Sequence, residues 1–170
     1  PQAGDIKIID QNGDGVINTD DRVIIGNPNP DFTYGFQTRF TWRGLSLSAQ
    51  FNGVHGKDMI NTNIRYQAIP NRTGGNLRTE AWVGAWTAEN RSNAYPRVNY
   101  TLPTPAVLDR YVEDASFLRC TDITLSYNLP KAVMKKIGFN SINIFGSVKN
   151  AFIITDYSGY DPEVNSFAFD

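Results

Sequence analysis

The sequence predicts an all-β chain: antiparallel strands, about four of them, of a length and patterning that suit part of a transmembrane β-barrel, with long loops and one short helix. Three observations lead there. Four segments alternate apolar and polar residues with a period of two, the periodicity of a strand with two unlike faces. In the first pair of segments the apolar parity switches across a two-residue turn. And a strand of about 10 residues, rising roughly 33 Å and tilted by about 45°, covers some 23–25 Å of height, close to the apolar band of an outer-membrane barrel.

The first pair runs through Phe32, Tyr34, Phe36, Phe40 and Trp42, all even-numbered, with Thr33, Gly35, Gln37, Arg39 and Thr41 between them. After Arg43 and Gly44 the apolar set becomes odd, as Leu45, Leu47, Ala49 and Phe51. A two-residue turn then pairs Trp42 with Leu45, Phe40 with Leu47 and Phe36 with Phe51, so every apolar side chain lands on one face of the hairpin. Arg43 is a poor first residue for a type I′ turn, which leaves the turn type open. The second pair lies at about 117–129 and 141–155. Phe117, Ile123, Leu125, Tyr127 and Leu129 are expected on one face, and Cys120, Asp122, Thr124, Ser126 and Asn128 on the other. The next strand sets Ile142, Ile144 and Val148 against Asn143, Ser147 and Lys149. Between these strands 130–138 reads as a short helix, with Pro130 at its start, Gly138 past its end and Val133, Met134 and Ile137 on one stripe.

Residues 54–114 are long and polar, with a short helix expected around 77–86. A connection of this length is functional or disordered more often than it is a neutral linker. The organisation is then 1–31, a loop carrying a candidate ion site; 32–53, a hairpin; 54–114, a long loop; 115–155, two strands joined by a short helix; and 156–170, a further loop. Short turns of outer-membrane barrels face the periplasm and long loops face outward, which would put the 43–44 turn and the 130–138 helix inside and the other connections outside. Pattern alone suits a soluble antiparallel sheet with one buried face equally well. Tyr34, Trp42 and Tyr127 near strand ends favour a membrane girdle.

Composition narrows the function. A net charge of −1 with 19% charged residues provides no basic field for nucleic acid or an anionic surface. No apolar run approaches the roughly 18 residues of a membrane helix, which leaves a barrel open. Both ends read as cut points, with no signal peptide visible at the first. The single cysteine, Cys120, is expected as a small packed residue and not as a nucleophile. His55 stands alone in a Gly-rich loop, and no spacing rule links Glu80, Glu89, Glu113 and Asp114 into an acid–base pair. No enzyme is expected.

The strongest local motif is DQNGDGVINTDD at 10–21. Asp10, Asn12, Asp14, Asn18 and Asp21 place oxygen donors at loop positions 1, 3, 5, 9 and 12, and the Val16 carbonyl supplies position 7. Gly15 takes the sharp turn at position 6. Calcium wants such a set of hard oxygens in a flexible cage, and here its role would be structural. Asp21 stands where EF-hands usually carry Glu, which shortens the reach and weakens the expected affinity toward the extracellular range. The competing reading is a polar Asx/Gly turn that binds nothing. Residues 22–30 run straight into Asn27, Pro28, Asn29 and Pro30 with no following helix, so an ion would pin a loop and not work a switch.

Several separated runs, in order, resemble the SusC/RagA class of TonB-linked outer-membrane proteins. They are Gly4 to Lys7 with 10–22, IGNPNPDFTYGF at 25–36, Phe117-Leu118-Arg119 with DITLSYNLP at 122–130, and NAFIITDYSGYDPEV at 150–164. Within 54–114 the likeness is weakest, apart from WTAEN at 86–90. The resemblance implies a bacterial outer-membrane location, a 22-stranded barrel with an N-terminal plug, energy from TonB, and import of glycans or oligopeptides with a SusD-like lipoprotein lid. The plug, the TonB box and most of the barrel would lie outside these residues. The rival reading, from a different class, is a soluble calcium-stabilised β-sheet module for carbohydrate binding or adhesion.

Overall fold

A computed structural model describes residues 2–67, 76–98, 100 and 107–163. Its main feature is a four-stranded antiparallel sheet of β1 (Phe32–Trp42), β2 (Leu45–His55), β5 (Phe117–Asn128) and β6 (Asn143–Thr155), in the order β1-β2-β5-β6. Two three-residue strands, β3 (Asp58–Ile60) and β4 (Val112–Asp114), pair separately just beyond β2 and β5 and prolong that ladder past the sheet. Helices are short: α1 (Thr62–Gln67), α2 (Thr79–Val83) and α3 (Lys131–Ile137). No helix among the described residues is long and apolar enough to cross a membrane, which has no bearing on a β-barrel.

The hairpin register is the one its parity implies, with Trp42 opposite Leu45, Phe40 opposite Leu47 and Phe36 opposite Phe51. Arg43 at φ 47° and Gly44 at φ 88° are both left-handed, as a type I′ turn requires. The guanidinium of Arg43 lies 5.1 Å from the centre of the Trp42 ring, a cation–π contact that favours an otherwise unsuited residue there. Gly44 has a second reason to be glycine: a Cβ would meet the Asn128 carbonyl oxygen at 2.8 Å.

Pairing across the sheet aligns residues in rows. On one face run Trp42, Leu45, Tyr127 and Ile144; then Phe40, Leu47, Leu125 and Gly146; then Thr38, Ala49, Ile123 and Val148; then Phe36, Phe51, Cys120 and Phe152. On the other face run Arg39, Ser48, Thr124 and Ser147, then Gln37, Gln50, Asp122 and Lys149. Phe145 and Ile153 are the apolar interruptions of that polar face within β6.

Three details depart from the sequence reading. The register shifts between Gln50/Phe51 and between Cys120/Asp122, so Thr121 is an inserted residue. A bulge of one residue exchanges the faces of everything beyond it. Cys120 and Leu118 therefore join the apolar face, while Phe117 and Arg119 turn to the polar one, the reverse of the alternation expected through 117–129. Second, β6 begins at Asn143 and β5 ends at Asn128, so Ile142 and Leu129 lie outside the paired strands. The two are linked by the Leu129 N–H donating to the Ile142 carbonyl at 3.1 Å. Third, α2 is shorter than 77–86, since Gly84 caps it.

The helix expected at 130–138 is α3, with Pro130 at its N-cap and Gly138 in the left-handed conformation at φ 75°. Met134 of its stripe is buried; the Ile137 side chain, like residues 68–75, 99, 101–106 and 164–170 of the expected loops, falls outside the described structure.

Candidate functional site

The loop at 10–21 is built from side-chain oxygens that turn back on their own backbone, as short Asx side chains do. Asp10 accepts from the Gly13 N–H at 2.6 Å and the Gly15 N–H at 2.8 Å. Asn12 accepts from the Asp14 N–H at 2.9 Å, and Asp14 from the Val16 N–H at 2.8 Å. Asp21 closes the loop, accepting from the Gln11 N–H and the Asn18 N–H, each at 2.8 Å. The Asn18 side chain donates to the Val16 carbonyl at 3.4 Å and caps the short 3-10 turn Thr19–Asp21. Gly13 and Gly15, at φ 77° and 80°, have open space around them, so it is the backbone conformation and not crowding that asks for glycine.

All six residues singled out in the sequence, Asp10, Asn12, Asp14, Val16, Asn18 and Asp21, are thus linked in one exposed loop. Bonds from the backbone N–H groups of Asn18 and then Gln11 hold the Asp21 carboxyl below its usual value. A carboxylate offers about four lone-pair sites, so oxygens that accept one or two N–H groups keep capacity for a cation. Among the described residues, however, no three carboxylate, imidazole or thiol groups draw together as a metal cluster. Any cage here would lean on the amide and carbonyl oxygens of Asn12, Asn18 and Val16. The donor chemistry fits a hard cation.

The loop hangs between two anchors. On its N-terminal side, Arg97 Nε donates to Asp5 Oδ1 at 2.6 Å, the Arg97 N–H donates to the Gly4 carbonyl at 2.9 Å, and the Trp86 ring fills the space beside Gly4. On its C-terminal side, the Asn27 N–H donates to Asp58 Oδ2 and the Asp58 N–H to the Asn27 carbonyl, both at 2.9 Å. The Asp31 N–H then donates to the His55 carbonyl at 2.9 Å and leads into β1. These tethers join residues far apart in sequence and were invisible to a local reading.

The second feature is the apolar face, and nothing among the described residues covers it. Phe40 is 66% exposed, Ile144 61% and Leu125 49%, with Phe36, Leu47 and Val148 alike. A soluble sheet buries one face; this one exposes large apolar side chains row upon row. A closely packed point on it is Cys120, 0% exposed, set in register between Phe51 and Phe152, whose rings approach to 6.3 Å. The aromatic pair Phe36 and Phe51 stacks at 4.6 Å. Near the loop end the Tyr34 ring lies over Gly53, its cross-strand partner, covering a position that otherwise exposes backbone.

An open four-stranded sheet with one exposed apolar face and aromatics near its strand ends has the make-up of a piece of a membrane β-barrel. Comparison with known proteins makes this specific. The chain is 34% identical to TonB-dependent receptor P26 of Formosa agariphila over 98% of its own length, which is 17% of that receptor. It is 26% identical to TonB-dependent receptor SusC of Bacteroides thetaiotaomicron over 93% of its own length and 15% of the receptor's. Among solved structures, the RagAB peptide importer in its open-open state superimposes with a TM-score of 0.65 at 32% identity, covering 82% of this chain and 15% of that one. No family model matches. The chain belongs to the SusC/RagA-like TonB-dependent receptors of the outer membrane, as a segment of one. It spans about a sixth of the length of the curated relatives it matches.

Proposed function

We propose that the receptor of which this chain is a segment imports a glycan or an oligopeptide across the outer membrane. A SusD-like surface lipoprotein delivers the ligand, and TonB supplies energy through regions outside this chain. The segment contributes four adjacent wall strands. Its apolar face looks to lipid and its polar face to the lumen, with the 43–44 turn and α3 on the periplasmic side. Residues 2–31, the described parts of 54–114, and 156–163 stand on the extracellular side. The observation that carries this reading is the sheet itself: rows of exposed apolar residues on one face, backed by an ionic and hydroxyl-bearing face. On the polar side Lys149 pairs with Asp122, which also accepts from Thr124 Oγ1 at 2.7 Å. Such pairs suit a water-filled passage. The same uncovered apolar face weighs against a soluble carbohydrate-binding or adhesion module.

The 10–21 loop, in this reading, holds a structural calcium ion through Asp10, Asn12, Asp14, Asn18, Asp21 and the Val16 carbonyl. The ion offsets the mutual repulsion of the loop's carboxylates and stiffens the chain between its two anchors.

Deleting the full-length gene from its host, and restoring it, tests the transport reading. Growth on a panel of oligosaccharides and of peptides as sole carbon source should fail for at least one ligand class and return with the gene. Unchanged growth on every member, with the protein recovered in the soluble fraction, would remove the importer reading in favour of the soluble module.

A further inference from the structure

The segment after β6 folds back along the polar side of the sheet. Arg119 faces that side, in register with Asn52 and Ile153, yet only 12% of its side chain is exposed. Residues 161–163 cover it. Arg119 Nη2 donates to Asp161 Oδ1 at 2.7 Å, and Nε lies 2.8 Å from Glu163 Oε2, an ion pair by distance without an aligned N–H. Lys57 Nζ donates to the Pro162 carbonyl at 3.1 Å.

Nearer β6 the segment is held a second time. The Ser158 N–H and hydroxyl donate to the two oxygens of Glu113 at 2.8 and 2.9 Å, and Asn61, fully buried, donates to the Ser158 hydroxyl at 2.9 Å. Between these anchors lie only Gly159, packed against the Tyr157 ring, and Tyr160, which is 90% exposed. The tip is fixed from both sides, while none of the described residues covers its aromatic ring.

Ordering a loop costs backbone entropy, and charge-assisted bonds offset that cost before any ligand arrives. A tyrosine on a preordered tip offers contact area with little further entropy to lose. We propose that 156–163 is a fixed strap on the lumen side of the barrel's outer mouth, and that Tyr160 is a contact residue for the incoming ligand. Its ring stacks on a C–H-rich face, which a sugar ring and a peptide's apolar side chain both present. This rests on the transport reading above.

The test uses the full-length receptor in its own outer membrane, with a mixture of neutral oligosaccharides and a tryptic casein digest as the two probes. For the probe the parent imports, Tyr160→Ala should raise the half-saturating concentration about threefold to tenfold with the maximal rate unchanged, and Tyr160→Phe should match the parent. Arg119→Ala, checked for folding by heat-modifiable mobility, should show the same rise together with new protease cleavage within 156–163. A parent that imports a probe and a Tyr160→Ala variant that saturates identically overturns this inference and leaves the importer standing. A parent that imports neither probe removes both.

Discussion

Leu47 and Ser46 are neighbours in β2, yet they meet opposite surroundings. Leu47 sits between Phe40 and Leu125 on the apolar face, and Ser46 between Thr41 and Ser126 on the polar one, where its hydroxyl lies 3.1 Å from that of Thr41. In the intact barrel an arginine at Leu47, one row in from the turn, would place a charge against lipid between interface and mid-height, costing at most about 2–4 kcal/mol of folding free energy, whereas at Ser46 it would extend into water at little cost. Urea unfolding of the full-length Leu47→Arg and Ser46→Arg receptors in bilayers should show that difference. Equal tolerance would mean that the faces are wrongly assigned. The alternation behind this contrast was readable from the sequence because period two is a strand's signature. The exchange at Cys120 was not, because an inserted Thr121 leaves no trace in composition and reverses each face beyond it.

At the scale of elements, what depended on neighbours in sequence was legible and what depended on distant partners was not. Pro130 and Gly138 bracketed α3, and the parity switch at Arg43 and Gly44 defined the hairpin register. The β3–β4 pair escaped notice because three residues are too few for a periodic signal. For the candidate ion loop, the Asx and Gly spacing disclosed the turn, and the structure adds that Asp10, Asn12, Asp14, Asn18 and Asp21 accept backbone N–H groups of the loop itself. Replacing Asp10 and Asp14 together by alanine should therefore loosen the stretch between the anchors at Asp5 and Asn27 while the four strands persist. Calorimetry on the purified receptor, stripped with chelator and titrated with calcium into the millimolar range of weak extracellular sites, should give a saturable heat that the double variant lacks. No heat, and unchanged protease sensitivity at Gly13 and Asp14, would leave a polar turn.

For the molecule as a whole, the two ends of the sheet differ. The turn end closes tightly through Arg43, Gly44 and α3. The opposite end is built up by polar tethers, Asp5 with Arg97, Asn27 with Asp58 and Arg119 with Asp161, that hold the long connections to one another, to β3 and to β5. That asymmetry is what a receptor needs if its outer surface handles ligand and its inner rim does not. All of it rests on one assignment, that the apolar face meets lipid and the polar face meets water. Nitroxide labels placed singly at Leu47, Leu125, Ser48 and Thr124 of the full-length receptor in bilayers test this most directly, through collision rates with oxygen, which concentrates in lipid, and with a water-soluble nickel complex. High oxygen and low nickel accessibility at Leu47 and Leu125, with the reverse at Ser48 and Thr124, is the predicted result. The same accessibility at all four positions, or a nickel preference at Leu47 and Leu125, would contradict it.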